Sequence, residues 1–290
     1  MTTGSCLCGT VRWRMEQPFR GMTHCHCSMC RKAHGAPFAT YINVPEANYH
    51  LLAGENAVTG YQSSATYRRA FCGRCGSVVP SAVDDDAVYV PAGCLDDDPG
   101  IRPSVHEFAA SKAPWHVIAD DLPRAETFTE IGLGLVIERP KRRSGKPGVL
   151  NGSCLCGGVA YEVGTPMRVV HNCHCSRCRK ARAAAHTTNG FAPAEGLRYL
   201  CGVELLRRYK VPGAKVFSQT FCRVCGSGMP RPDATQGLVA IPFGSLDDDP
   251  GRGADDHIYT AYKAPWYDIA DDLPQCAEGP GPPTGAGSRS

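Results

Sequence analysis

Three cysteine groups occur twice along this chain, and their spacings are those of metal ligands. The first set is Cys6-Leu7-Cys8, Cys25-His26-Cys27-Ser28-Met29-Cys30 and Cys72-Gly73-Arg74-Cys75. The second is Cys154-Leu155-Cys156, Cys173-His174-Cys175-Ser176-Arg177-Cys178 and Cys222-Arg223-Val224-Cys225. Cysteines at i and i+2 of a strand point to one face, so both sulfurs can approach one ion. A tight turn at C-x-x-C does the same, and Gly76 and Gly226 suit the bend that follows. Two such pairs supply the four thiolates of a closed tetrahedral zinc site. Thiolates also select zinc over magnesium and calcium, which want oxygen. An iron–sulfur cluster is the rival Cys₄ reading. A redox C-x-x-C lacks the βαβ surroundings of a thioredoxin.

Each set holds seven cysteines, so four close one site and three remain. Three protein ligands with an open position is the arrangement of catalytic zinc. By proximity the trio is Cys25, Cys27 and Cys30, leaving Cys6, Cys8, Cys72 and Cys75 to meet in space. Spacing alone leaves a crossed pairing open. It also leaves open a second structural site completed by His24, His26 or a distant residue. Cys94, Cys201 and Cys276 fall outside the repeated pattern and read as inert thiols. The runs Asp84-Asp85-Asp86 and Asp96-Asp97-Asp98 invite calcium, but Leu-Asp-Asp-Asp-Pro-Gly is better read as turn chemistry.

The elements that position these cysteines are themselves written twice. Gly4 to Gly9 returns at Gly152 to Gly157, and Cys25 to Ala33 returns at Cys173 to Ala181 with Met29 changed to Arg177. Leu95 to Gly100 returns at Leu246 to Gly251. The unit is too long for a solenoid repeat, so a duplicated domain is expected. The boundaries are 1–130 for the first domain, 131–150 for a linker, 151–276 for the second domain and 277–290 for a disordered tail. The linker is charged and proline-bearing from Glu138 to Gly148, after a short apolar stretch from Ile131 to Ile137. Such polarity predicts that each unit folds by itself.

Within a unit the pattern is mostly β. Thr10 to Met15, Phe38 to Val44 and Val78 to Val83 alternate, and two helical turns are expected over Ser28 to His34. With 32 glycines and 23 prolines, short strands and many turns are favoured over a helical bundle. A formal net charge of +3 argues against nucleic acid, which needs clustered Lys and Arg. No apolar run is long enough for a membrane span. No hydrophobic segment precedes Cys6, so a reducing, cytoplasmic setting is expected for the 17 cysteines.

On G-S-C-L-C-G, C-H-C-S-x-C-R-K-A, F-C-x-x-C-G-S, G-x-L-D-D-D-P and K-A-P-W, in order in both halves, the chain resembles the glutathione-dependent formaldehyde-activating enzymes. Their domain is shared with centromere protein V. The resemblance covers roughly 4–123 and 152–274. It implies a mainly β fold of two tandem β-tent domains, similar to Mss4-like proteins and pinned by zinc, with up to two ions per domain. It makes Cys6, Cys8, Cys72 and Cys75 the structural ligands, and Cys25, Cys27 and Cys30 those of an exchangeable site. Cys154, Cys156, Cys222 and Cys225, then Cys173, Cys175 and Cys178, take these roles in the second domain.

The activity implied is that of a carbon–sulfur lyase resembling S-(hydroxymethyl)glutathione synthase. It condenses glutathione, or a similar thiol, with formaldehyde or another small aldehyde. Zinc lowers the thiol pKa, and the hemithioacetal oxyanion then needs a proton. His26 or His106 is the candidate donor, matched by His174 and His257; the competing reading has each histidine orienting a zinc loop. Arg31 and Lys32 are candidates for glutathione carboxylates, and Trp115 and Trp266 for core or pocket wall. The alternative function is a non-catalytic, zinc-stabilised module that binds a thiol metabolite or a macromolecule. The first unit is expected to carry most of any catalysis. The changes Gly35 to Ala183, Phe38 to His186, His24 to Asn172 and Arg69 to Gln219 are read as spoiling the second pocket.

Overall fold

The computed structural model describes residues 1–82, 86–127, 145–233 and 236–281. The apolar stretch 131–137, most of the linker, Asp84, Asp85 and the tail beyond 281 lie outside the described residues. The protein is mainly β, with short helices Ser28–His34 (α1) and Ser176–Arg182 (α2). Both occupy the segment where two helical turns are expected, and both begin at a cysteine of the trio. Sγ of Cys27 accepts from the Cys30 amide at 3.3 Å, and Sγ of Cys175 from the Cys178 amide at 3.4 Å. Each sulfur thereby fills the N-cap role that Ser or Asp usually takes.

The strand Gly21–Cys25 carries the first trio's leading cysteine into the main sheet of the first repeat. It pairs antiparallel with Ala39–Pro45 and parallel with His106–Glu107. The second repeat copies this with Val169–Cys173, Thr187–Pro193 and Asp256–Ile258. A smaller sheet of Thr2–Ser5, Arg12–Met15 and Tyr49–Ala53 presents the C-x-C pair, and Leu150–Ser153, Ala160–Val163 and Leu197–Cys201 do so in the second repeat. Alternation in Arg12–Met15 buries Trp13 and Met15 and leaves Arg12 out, as a half-buried strand requires. The run expected at 78–83 is broken by Pro80 into Val78–Val79 and Ser81–Ala82, because proline cannot donate to a ladder.

The expectation of two self-contained cores is corrected by the packing. One apolar cluster joins Cys25, Met29, Tyr41 and Trp115 of the first repeat to Phe243, Leu246 and Tyr161 of the second. The other joins Trp13, Ile42 and Val90 to Ala183, Ala185 and Trp266. Each K-A-P-W tryptophan therefore packs with the opposite repeat, Trp115 lying 5.3 Å from Phe243 ring to ring. Polarity of the linker says nothing about surfaces formed elsewhere in the chain.

The contacts around this interface also explain Lys32 and the aspartates of the repeated Leu-Asp-Asp-Asp-Pro-Gly runs. Lys32 is buried rather than waiting for substrate. Its Nζ donates to Ser153 O at 2.8 Å and Ser153 Oγ at 2.9 Å, and pairs with Asp247 Oδ1 at 2.6 Å. Lys180 reaches back the same way to Ser5 and Asp96. The next aspartates, Asp97 and Asp248, accept from the Thr3 and Asn151 amides. Asp98 and Asp249 accept from the Gly100 and Gly251 amides. The turn reading of Leu-Asp-Asp-Asp-Pro-Gly accounts for the third position; the second ties down the first strand of its own repeat, and the first is a clasp between repeats.

Candidate metal centres and their surroundings

The fold assembles four sulfur clusters from these elements. Cys6, Cys8, Cys72 and Cys75 form one, and Cys154, Cys156, Cys222 and Cys225 its counterpart. Cys25, Cys27 and Cys30, and separately Cys173, Cys175 and Cys178, form the trios. Within each cluster the sulfurs lie within 4.8 Å of one another. The crossed pairing is thereby removed. None of the cysteines is in a disulfide.

The sulfurs fit a single tetrahedral ion. Cys6 and Cys8 stand 3.5 Å apart, Cys8 and Cys72 3.8 Å, Cys154 and Cys156 3.4 Å, and Cys156 and Cys222 3.8 Å. Metal–sulfur bonds of about 2.3 Å at tetrahedral angles place neighbouring sulfurs about 3.8 Å apart. Backbone amides help to hold the lone pairs in place, Val11 N donating to Cys6 Sγ and Val159 N to Cys154 Sγ.

The histidines inside the trios turn away from the sulfurs into paired relays. His26 Nε2 and His106 Nδ1 are 2.8 Å apart, and His106 Nε2 is 2.8 Å from Asp120 Oδ1. Because the carboxylate accepts, His106 donates from Nε2 and receives the His26 Nε2–H at Nδ1. His174, His257 and Asp271 repeat the arrangement at 2.8 and 3.0 Å. Nδ1 of His26 and Nδ1 of His174 are buried without a partner. Burial holds His26 down at about 2 and His174 at about 3, so both rings are neutral.

The two trios differ in access. Cys25, Cys27 and Cys30 are all buried, whereas Cys175 and Cys178 are half-exposed. A cavity of about 730 Å³ lies against the second trio, lined by all three of its cysteines. Arg177, where the first repeat has the buried Met29, sits on its rim. His171, Asn189, Gln219 and Arg182 also line it. His171 donates from Nδ1 to Asp256 Oδ1 at 2.6 Å, a pair that the cysteine motifs do not contain. The signal lay in spacing: His171 stands two residues before Cys173 on a strand and so shares its face.

The segment after each helix corrects the expectation that Ala183, where the first repeat has Gly35, fills backbone space in the second pocket. Gly35 caps α1 in the left-handed conformation with φ 60°, and Ala183 caps α2 with φ 53°. The backbone path is therefore kept, and alanine adds local strain rather than filling space. His34 donates from Nδ1 to Arg182 O at 2.7 Å and accepts at Nε2 from the Tyr41 hydroxyl at 2.7 Å.

A fold of two small β repeats, each with a four-cysteine cluster and a three-cysteine loop, defines a class, and comparison identifies it. The chain belongs to the glutathione-dependent formaldehyde-activating enzyme family, whose model matches residues 1–111 and 149–262. A protein of Halomonas elongata, provisionally named a glutathione-dependent formaldehyde-activating enzyme, is 31% identical over 122 residues, covering 39% of this chain and 77% of its own length. A crystal structure of a Rhodobacter sphaeroides protein is 25% identical, covering 35% of this chain and 97% of that one at a TM-score of 0.29. Among the described residues no helix is long and apolar enough to cross a membrane.

Proposed function

We propose that this protein is a zinc-dependent carbon–sulfur lyase that interconverts a thiol plus a small aldehyde with the corresponding hemithioacetal, glutathione and formaldehyde being the leading pair. The observation that carries this reading is the trio of buried Cys173 with half-exposed Cys175 and Cys178 at the wall of a cavity of about 730 Å³. Cys6, Cys8, Cys72 and Cys75, with Cys154, Cys156, Cys222 and Cys225, would hold closed structural zinc ions. The two trios would hold one ion each by three thiolates. When bound there, zinc supplies a Lewis acid that favours the thiolate form of a thiol placed beside it.

The rest of the chemistry falls to side chains. In the forward direction the thiol S–H bond breaks, a carbon–sulfur bond forms at the carbonyl carbon, and the carbonyl π pair moves to oxygen. The proton must travel from sulfur to that oxygen. His171 is suited to carry it at Nε2, because Asp256 occupies Nδ1 and fixes the tautomer. His26 with His106, and His174 with His257, are assigned a positioning role, since they lock the C-x-C loops from behind.

The test is ¹³C NMR of formaldehyde–glutathione exchange, with the uncatalysed condensation measured alongside. The wild type is expected to exceed background, and Cys175→Ser to fall to it. His171→Gln should fall by about 10²-fold or more, the usual contribution of a general acid–base group. Background rates from the wild type at full zinc content would instead support a binding module.

A further inference from the structure

The two trios are built alike and walled differently. At four matched positions the first repeat has Tyr41, Tyr67, Arg69 and Tyr89, where the second has Asn189, Phe217, Gln219 and Ala240. Arg69 is buried against its cysteines. Its Nη2 donates to Cys30 Sγ at 3.5 Å and its Nη1 to the Tyr41 hydroxyl at 3.4 Å. The Tyr41 and Tyr89 rings lie 5.9 Å apart beside it. Where a substrate would approach the first trio, the chain has placed its own cation and aromatic rings.

In the second repeat Gln219 turns aside to donate to Ala181 O at 3.1 Å. Asn189 and Ala240 are small and line the cavity. The cation comes instead from the end of α2. Arg182 is 7% exposed and lines the same cavity, yet its Nη1 has no hydrogen-bond partner. Gly228 admits it: a Cβ there would stand 1.1 Å from Nη1, whereas the first repeat has Val78 at this position and His34 in place of Arg182. Burial brings the guanidinium down to about 10, so it stays charged at neutral pH. A buried charged donor left without an acceptor is costly, and the planar fork of Arg matches a carboxylate.

We propose, resting on the thiol–aldehyde reading above, that this chain takes up its thiol substrate at the second trio alone. There Arg182 receives a carboxylate of that thiol, while Arg69 seals the first trio. The thiol class is thus an anionic one, and the two repeats divide into a working site and a closed one.

Calorimetric titration of the zinc-loaded full chain with glutathione is expected to show one thiol per chain. Arg182→Gln should weaken binding about tenfold or more at unchanged zinc content, as loss of a charged hydrogen bond does. The diethyl ester of glutathione should lose a similar factor against the wild type and little against the variant, an outcome that a structural role for Arg182 would not produce. Ala240→Tyr, which installs the first repeat's residue, should block uptake while keeping zinc. Should Arg182→Gln fail to retain zinc, the ester comparison on the wild type and Ala240→Tyr still decide. Two thiols per chain, or equal binding of acid and ester, overturns this inference and leaves the lyase reading standing. Absence of both binding and turnover overturns the two together.

Discussion

Nζ of Lys32, in the first repeat, stands 2.6 Å from Oδ1 of Asp247 in the second, with side-chain exposures of 6% and 3%. Its counterpart across the molecule, Lys180 with Asp96, is more open at 19% and 40%. The same motif residues thus form one buried and one part-exposed clasp. Removing one partner of a buried pair leaves an uncompensated charge, whereas an exposed pair is screened.

Unequal clasps give unequal losses. Asp247→Asn is expected to cost about 3 kcal/mol or more of stability, and Asp96→Asn about 1 kcal/mol or less. Urea unfolding midpoints of the two variants check this. Similar losses would show that the buried clasp is no more important than the open one.

Because the cores are shared, neither repeat is expected to persist alone. Fragments ending near Arg139 and beginning near Pro147 should each expose the apolar surface around Trp115, Phe243 and Trp266 and aggregate when expressed singly. Co-expressed, they should recombine into a particle of the full chain's size by gel filtration. Two separately soluble, monomeric halves would contradict the packing.

Metal removal should proceed in two stages. A chelator is expected to take the ion of Cys173 and the half-exposed Cys175 and Cys178 first, while far-UV circular dichroism holds. Loss from the two four-cysteine clusters should then unfold the protein, because such binding energy is folding energy. Elemental analysis against chelator concentration reads the steps, and mild reductant alone should do nothing.

Acid should destabilise the fold between about pH 6.5 and 4. Burial holds His34 at about 4 and His186 well below 6.5, so the folded protein keeps both rings neutral. The unfolded chain binds those protons near pH 6.5, hence stability is full above that value and declines as pH falls, by about 1.4 kcal/mol per pH unit for each group. His186→Phe, the residue found at the matching Phe38, should remove one proton from this dependence. An unchanged slope in pH-dependent unfolding would refute the assignment for His186.

How much of this was legible beforehand follows from distance along the chain. The cysteines lie in motifs of a few residues whose local geometry is set by strand and turn, so their types and spacing sufficed to mark groups that could hold a metal, and for the β character. The duplication, too, is a property of the letters alone. Closing each four-cysteine cluster needed Cys8 brought to Cys72, and that partition was settled only in three dimensions. The relation between the repeats was not written in any motif. Lys32 and Asp247 are separated by most of the chain, and only packing turns a surface-type lysine into a buried clasp. Access to the trios was likewise decided by tertiary structure. Both trios share their cysteines, but Arg69 and Tyr41 fill the space beside the first, while Asn189 and Ala240 leave it open beside the second. Those residues come from separate strands, and volume in a shared space is a sum over all of them that no single segment carries.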